Sequence, residues 1–175
     1  MDEADRKRVE ETVERGDTDR FVSTFFVPAE RRVDLLALYA FDVEVRHIGE
    51  AAREPMAGQV RLAWWREQIA MIYEGGSVHA PTARALSLVV RAYDLPRAEF
   101  DGCLDARALD LAEAPFPDET AMAAHADSVA GSVFKLACRI LSAAGHHADD
   151  AAGHAGRAAM YASHLRDLSF FAARR

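Results

Sequence analysis

The chain has few of the features that mark a membrane, secreted or nucleic-acid-binding protein. Among its 175 residues, no apolar run approaches the roughly 20 residues that span a bilayer. The first five residues, MDEAD, are acidic and lack the apolar stretch of a secretory signal. The formal net charge of −7 argues against a general nucleic-acid partner. These absences favour a globular protein without a targeting segment.

Cysteine is equally scarce, since the chain contains only Cys103 and Cys138. They show neither CxxC nor Cys/His spacing, so we interpret them as buried free thiols in a reducing compartment. The sequence also lacks a glycine-rich phosphate loop, an HExxH motif and a GxSxG motif. These missing motifs exclude the commonest nucleotide-binding, metalloprotease and hydrolase signatures.

A short segment near the C-terminus has residue types that bind metals. Its members are His146, His147, Asp149, Asp150 and His154. Two aspartates at the start of a helix also complement the helix dipole without any metal. We therefore interpret this segment as a loop and helix cap.

The chain is rich in helix-forming sequence. Half of its residues are hydrophobic, they recur with a helical period, and no alternating strand pattern is present. Proline and glycine divide the chain into seven predicted helices, with a short helical turn over 20–26. The predicted helices cover residues 3–15, 28–53, 57–74, 82–93, 97–113, 118–142 and 148–175. A single all-α domain over 1–175 is the expected fold.

Two polar motifs stand out in these helices. Asp42, Arg46 and Glu50 share one face, so that Arg46 can pair with either carboxylate. This stripe is either a solvated salt-bridge ladder or a polar face lining a cleft. The second motif, over 61–66, places two tryptophans between two arginines. Such a group suits a phosphate or an aromatic ligand, whereas tryptophans are also common core anchors.

Five landmarks, the first of them in two segments, resemble motifs of the squalene/phytoene synthase family in chain order. Residues 25–32 and 38–41 resemble its LPxxxR and YAFCR, 61–66 its RLxWW, 104–111 its LIDGxxxDL, 128–133 its VAGTVG, and 164–167 its NILRD. The resemblance covers about residues 20–175 and implies the all-α isoprenoid synthase bundle. Members of the family bind two prenyl diphosphates in a central cavity. There, Mg²⁺ held by two carboxylate-rich helices neutralises the leaving diphosphate.

The resemblance places the metal-binding and catalytic positions on Glu50 and Asp167. The family's first aspartate-rich motif falls on residues 46–50. Arg46 takes the place of its leading aspartate, and a cation at that position repels the metal. At about 4 Å and an effective dielectric constant near 20, that repulsion costs about 4 kcal/mol per elementary charge. We therefore expect weak or no Mg²⁺-dependent condensation. Direct contact between Arg46 and a phosphate is the alternative.

The resemblance also implies a set of substrate-binding residues. These candidates are Arg46, Phe41, Val45, His125, Val129, Val133 and Ser163. His125 falls on a family tyrosine and Ser163 on a family asparagine. Leu38, Phe41, Val45, Val129, Val133 and Leu165 are expected to surround one apolar core or pocket.

Residues 40–44, 54–58 and 165–170 resemble a branch of the family that has also lost these carboxylates. Mitochondrial members of that branch are assembly factors for respiratory complex I. Two functions are therefore open: a prenyltransferase that uses Mg²⁺ to make a phytoene- or squalene-type product, and a non-catalytic binding protein. The implied partner is a prenyl diphosphate or another isoprenoid lipid, with a membrane surface or a respiratory-complex subunit as a further partner. The expected location is the cytoplasm or the periphery of the inner membrane.

Family members continue for several helices beyond the last motif found here. The resemblance therefore implies a bundle that is incomplete at its C-terminus. Val129, Val133 and Phe134, together with Phe170 and Phe171, are then expected to leave apolar surface in water. Such a surface would make the isolated chain oligomeric, molten or prone to aggregation.

Overall fold

The computed structural model describes residues 1–51, 55–112, 115–141 and 146–172, with side chains for all of them except 50, 51, 146 and 167–172. These described ranges are helical and contain no strand, which confirms the all-α prediction. The helices are α1 (Glu3–Gly16), α2 (Thr18–Ser23), α3 (Ala29–Ala51), α4 (Pro55–Glu74), α5 (Pro81–Tyr93), α6 (Arg97–Asp110), α7 (Glu119–Ala126), α8 (Ser132–Ile140) and α9 (His146–Ala172). A 3₁₀ turn (Thr24–Phe26) follows α2, and a π-helical turn (Asp127–Gly131) joins α7 to α8. No helix in these ranges has the length and hydropathy needed to cross a membrane.

Aspartate caps determine where two of the helices begin. Asp17 caps α2 by accepting a 3.0 Å hydrogen bond from the backbone N–H of Arg20. Asp118 caps α7 in the same way, with the N–H of Ala121 at 2.8 Å. Such caps satisfy backbone donors that the first turn of a helix leaves unpaired. The cap at Asp17 also fixes a carboxylate at the junction of α1 and α2, next to α3.

Helix α3 is the central helix and packs against α1, α5 and α8. Its apolar stripe, which includes Leu38, Phe41 and Val45, is buried as predicted. The Phe41 ring meets Trp65 of α4 and Phe100 of α6 edge-on, at centroid distances of 5.0 and 5.3 Å. Each fully buried side chain of this size contributes about 1.5–3 kcal/mol. The aromatic contacts therefore hold both α4 and α6 against α3.

The π-helical turn lies directly against α9. A Cβ atom on Gly156 would stand 2.5 Å from the backbone nitrogen of Gly131, so the two backbones are in contact. The Arg157 guanidinium also donates two hydrogen bonds of 2.5 Å to the Asp127 carboxylate. The predicted single helix over 118–142 is therefore interrupted at the point where α9 crosses it.

Two expectations about apolar surface are wrong. Val129 and Val133 are each 1% exposed, because α9 and α6 cover them, so they leave no apolar surface in water. Leu165, expected in the core, is 69% exposed. It lies nine residues after Gly156, which at about 100° per residue places it on the opposite side of α9. The side chains of Phe170 and Phe171 lie outside the described residues.

Candidate functional site

A continuous group of charged side chains, which we call the central cluster, links four helices of the bundle and the α1–α2 junction. It comprises Asp17, Arg20, Asp42, Arg46, Arg107, Asp110 and His125. Three carboxylates face three guanidinium groups, so the cluster has no net charge when His125 is neutral. This balance governs what the site can bind.

Asp42 of α3 lies at the middle of the central cluster and is 2% exposed. Arg20 donates a short hydrogen bond to its carboxylate, and an Nη atom of Arg107 lies 3.8 Å from the other oxygen. Burial by itself would raise the pKa of Asp42. The positive charges of Arg20, Arg107 and Arg46 outweigh that effect and hold the pKa below its ordinary value. Asp42 is thus an ionised carboxylate whose counterions are supplied by the protein.

Arg46 lies one turn after Asp42 but pairs elsewhere. Its guanidinium is 3.3 Å from the Asp17 carboxylate and donates a 2.9 Å hydrogen bond to the backbone carbonyl of Gly16. We predicted a pairing with Asp42 or Glu50; Asp17 is its described partner, because Arg20 and Arg107 already surround Asp42. The side chain of Glu50 lies outside the described residues. Asp42 is buried and Arg46 is half-buried, so a solvated ladder is excluded for these two residues.

The cluster continues through α6 to α7. Arg107 donates a 3.1 Å hydrogen bond to Asp110, and Nε2 of His125 lies 3.0 Å from the other oxygen of Asp110. Burial opposes ionisation of Asp110, but the hydrogen bond from His125 and the charge of Arg107 lower its pKa overall. The Phe116 ring, 5.0 Å from the imidazole, covers this end of the cluster. His125, a predicted substrate-binding residue, is therefore a buried partner of Asp110.

The central cluster does not fit a magnesium site. Mg²⁺ prefers an octahedral set of oxygen ligands, commonly carboxylates and waters. Each of the three carboxylates here is engaged by at least one arginine, and the unbonded oxygen of Asp42 faces Arg107. Across the described part of the chain, no three His, Cys, Asp or Glu side chains form a group that could hold a metal ion. The side chain of Asp167, like that of Glu50, lies outside the described residues, so their metal and catalytic roles stay predictions.

The other predicted substrate-binding residues occupy three environments. Phe41, Val45 and Val133 belong to the main core. Val129 belongs to a smaller core beside α9. Ser163 lies on α9, where its hydroxyl accepts a 3.3 Å hydrogen bond from Arg166. Their roles toward a substrate stay predictions.

The motif over 61–66 divides between two roles. Trp65 is a buried core anchor against Phe41, as one interpretation predicted. Arg66 pairs with Asp105 at 2.9 Å. Arg61 and Trp64 instead line an open groove beside α1, which is the environment that the ligand interpretation requires. The core-anchor interpretation is therefore confirmed for Trp65, and the ligand interpretation stays a prediction for Arg61 and Trp64.

The remaining candidates behave as ordinary structural residues. Both cysteines are free thiols, as predicted; Cys103 is buried, but Cys138 is only half-buried, so the prediction that both are buried is wrong for Cys138. Burial raises the pKa of Cys103 to about 12, so its thiol stays protonated at neutral pH. His147 and Asp149 lie in the first turn of α9, in agreement with a helix start.

With this geometry established, the comparisons identify the family. Residues 13–175 match the sequence model described as squalene/phytoene synthase. The chain belongs to the squalene/phytoene synthase family. The chain is also 28% identical over 165 residues to a protein of Bos taurus named "NADH dehydrogenase (ubiquinone) complex I, assembly factor 6". That alignment covers 94% of this chain and 50% of the relative.

A second relative carries the name of an enzyme. Presqualene diphosphate synthase of Rhodopseudomonas palustris is 28% identical over 145 residues, covering 81% of this chain and 50% of the relative. The crystal structure of squalene synthase HpnC from Alicyclobacillus acidocaldarius superimposes with a TM-score of 0.81 at 21% identity, over 94% of this chain and 62% of that one. The family fold is thereby shown. The squalene/phytoene synthase family chain spans about half the length of the curated relatives it matches.

Proposed function

We propose that this family member condenses prenyl diphosphates weakly or not at all. It instead uses the family fold to bind a lipid or a protein partner. The observation that carries the proposal is the charge balance of the central cluster. Asp17 and Asp42, the described carboxylates nearest to Arg46, already have guanidinium counterions. A bound Mg²⁺ would have to displace those arginines or lie beside them.

The expected penalty is large. One guanidinium at about 4 Å from one elementary charge costs about 4 kcal/mol at an effective dielectric constant near 20, and a dication roughly doubles this. Arg46 cannot readily move away, because Asp17 and the Gly16 carbonyl both hold its guanidinium. A penalty of this size would weaken metal binding by several orders of magnitude.

The alternative is an active prenyltransferase in which Glu50 and Asp167 hold Mg²⁺ despite Arg46. The 28% identity to a presqualene diphosphate synthase supports this alternative. The experiment is to incubate the purified protein with Mg²⁺ and labelled farnesyl or geranylgeranyl diphosphate and to analyse the products. The Rhodopseudomonas enzyme serves as the positive control. We expect no condensation product above background. Product formation that is lost in both Glu50→Ala and Asp167→Ala would establish the alternative.

A second experiment measures binding directly. Calorimetric titration with Mg²⁺ and a non-reactive prenyl diphosphate analogue should give little Mg²⁺-dependent heat. Micromolar binding that requires Mg²⁺ and disappears in Glu50→Ala would contradict the proposal. Binding of the analogue without Mg²⁺, lost in Arg46→Gln, would instead support direct contact between Arg46 and a phosphate.

A role in assembling a respiratory complex is the second candidate function. The assembly-factor relative aligns over 94% of this chain and the synthase relative over 81%, which favours this candidate. The proposed location is the periphery of the inner membrane. Deleting the gene should lower the amount of assembled complex I on a native gel, and the wild-type gene should restore it. Normal complex I in the deletion strain would rule this role out.

A further inference from the structure

A row of exposed apolar side chains runs along α2 and the 3₁₀ turn that follows it. Val22 is 49% exposed, Phe25 is 57% exposed and Phe26 is 88% exposed. Their spacing of i, i+3 and i+4 places the three side chains on one face of the helical turn. We call these three residues the phenylalanine ridge. Large apolar side chains that are exposed together mark a surface for interaction.

Neighbouring side chains hold the ridge in position. The Phe25 ring meets the Phe21 ring edge-on, at a centroid distance of 5.4 Å. The Arg32 guanidinium lies 3.9 Å from the centroid of Phe25, and its Nε donates a 3.3 Å hydrogen bond to the hydroxyl of the buried Thr24. A surface that is ordered before binding loses little conformational entropy when a partner docks.

The two ends of the ridge carry opposite charges. Asp19 lies three residues before Val22 on the same face of α2, about 9 Å along the helix from Phe25, and its side chain is 84% exposed. Arg32 lies over Phe25 at the other end. The Asp19 carboxylate is 3.2 Å from the exposed Arg166, and an exposed pair of this kind contributes little stability. A two-fold axis through the middle of such a surface brings the acidic end of each copy to the basic end of the other.

We propose that the phenylalanine ridge is the centre of a symmetric homodimer. The ridge of one copy packs against the ridge of the other, and Asp19 of each copy pairs with Arg32 of the other copy. An anionic bilayer fits this surface less well, because the Asp19 carboxylate would face the lipid headgroups. The inference goes beyond the proposed function, since no residue of the ridge is a candidate for metal or substrate binding.

The exposed area of the ridge suits a weak dimer. A whole phenylalanine side chain buries about 200 Å², so the exposed fractions of Phe25 and Phe26 amount to roughly 290 Å² in each copy. A stable interface buries about 800 Å² per partner, and transient interfaces bury less. The two phenylalanines supply about a third of that area, and Val22, Asp19 and Arg32 extend it. We therefore expect a dissociation constant in the micromolar range.

Analytical ultracentrifugation of the purified chain measures the dimer directly. Sedimentation velocity, recorded from submicromolar to submillimolar concentration at neutral pH, should show a reversible monomer–dimer equilibrium. Phe26→Ser should weaken the dimer by at least about 30-fold, as is typical when a central interface anchor is lost. Met56→Ser, at an apolar residue of α4 that is 68% exposed and lies outside the ridge, should leave the equilibrium unchanged. Since both side chains are exposed, circular dichroism should show wild-type helicity for both variants.

Charge reversal tests the two-fold arrangement. Asp19→Arg brings two cations together at each end of the interface, and Arg32→Asp brings two carboxylates together there. Each variant alone should therefore dimerise at least about tenfold more weakly than the wild type. In a mixture of the two variants, every end again joins one cation to one carboxylate. A heterodimer should then form with an affinity close to that of the wild type.

Three results would overturn the proposal. The first is a wild-type chain that stays monomeric at every concentration. The second is equal dimerisation of the wild type and Phe26→Ser, and the third is a mixture of the charge variants that dimerises no better than either variant alone. If the monomer instead sedimented with phosphatidylglycerol vesicles and Phe26→Ser did not, the ridge would be a membrane contact and the dimer would be wrong.

Discussion

Replacing Asp42 with asparagine removes the central counterion of the cluster. Asp42→Asn keeps the shape of the side chain but leaves Arg20 and Arg107 facing an uncharged amide. Both arginine side chains are less than one-fifth exposed, so water cannot readily replace the lost charge. Removing one partner of a buried ion pair typically costs about 3–5 kcal/mol. That is a large part of the roughly 5–15 kcal/mol that stabilises most domains.

Urea unfolding followed by circular dichroism at pH 7 measures this loss. The control is Asp101→Asn, whose partner Arg97 lies at 3.1 Å with both side chains about 44% exposed. An exposed pair of this kind contributes at most about 1 kcal/mol. If Asp42→Asn lowers the free energy of unfolding no more than Asp101→Asn does, the central cluster does not stabilise the fold as we argue.

The same variant should change the response to acid. The pKa of Asp42 is lower in the folded protein than in the unfolded chain, where it is about 3.9. Its ionised form therefore stabilises the fold above about pH 4, and this contribution is lost as the pH falls through the folded-state pKa. Asp42→Asn should lose less stability than the wild type between pH 5 and pH 2. An unchanged pH dependence would contradict this assignment.

Two further predictions concern α9 and the thiols. Gly156→Ala should lower the free energy of unfolding by about 1–3 kcal/mol, because its Cβ would stand 2.5 Å from the Gly131 nitrogen. A Cβ at Gly153 meets no atom within 4 Å, so Gly153→Ala should be neutral or stabilising in the same urea assay. If Gly153→Ala lowers the free energy of unfolding as much as Gly156→Ala does, the close contact between α9 and the π-helical turn is refuted. Cys103, with a pKa of about 12, should react with iodoacetamide at pH 8 far more slowly than the half-buried Cys138, as peptide mass spectrometry would show. Equal rates would mean that Cys103 is accessible and more acidic than its burial implies.

The helices were predictable because their signals are local. Helical periodicity together with Pro28 and Pro81 predicted segments that the structure confirms to within a few residues. The π-helical turn at Asp127–Gly131 was not predictable, because it lies where the backbone meets Gly156 of α9, a residue 25 positions after Gly131. Helical periodicity predicts which residues share one face of a helix, but not which other helix packs against that face.

The central cluster was only partly predictable for the same reason. The spacing of Asp42 and Arg46 identified one polar face of α3, but it favoured a pairing within that helix. Their partners come from far along the chain: Asp17 lies 29 residues before Arg46, and Arg107 lies 65 residues after Asp42. Arg107 had no local signal, since isolated charged residues on helices are usually solvated. Asp17 lies between α1 and α2 as a helix cap, and a cap residue gives no sign of a distant partner such as Arg46.

The charge balance of the cluster constrains how such a site can evolve. The family motif has an aspartate at the position of Arg46. Replacing Arg46 with aspartate would leave four carboxylates against two guanidinium groups. That imbalance equals the charge of one divalent cation, so the substitution would exchange an internal counterion for an external one. A variant that gained a metal site by this step would have a stability that depends on the metal concentration. With Arg46 in place, the charges of the cluster balance without any external cation.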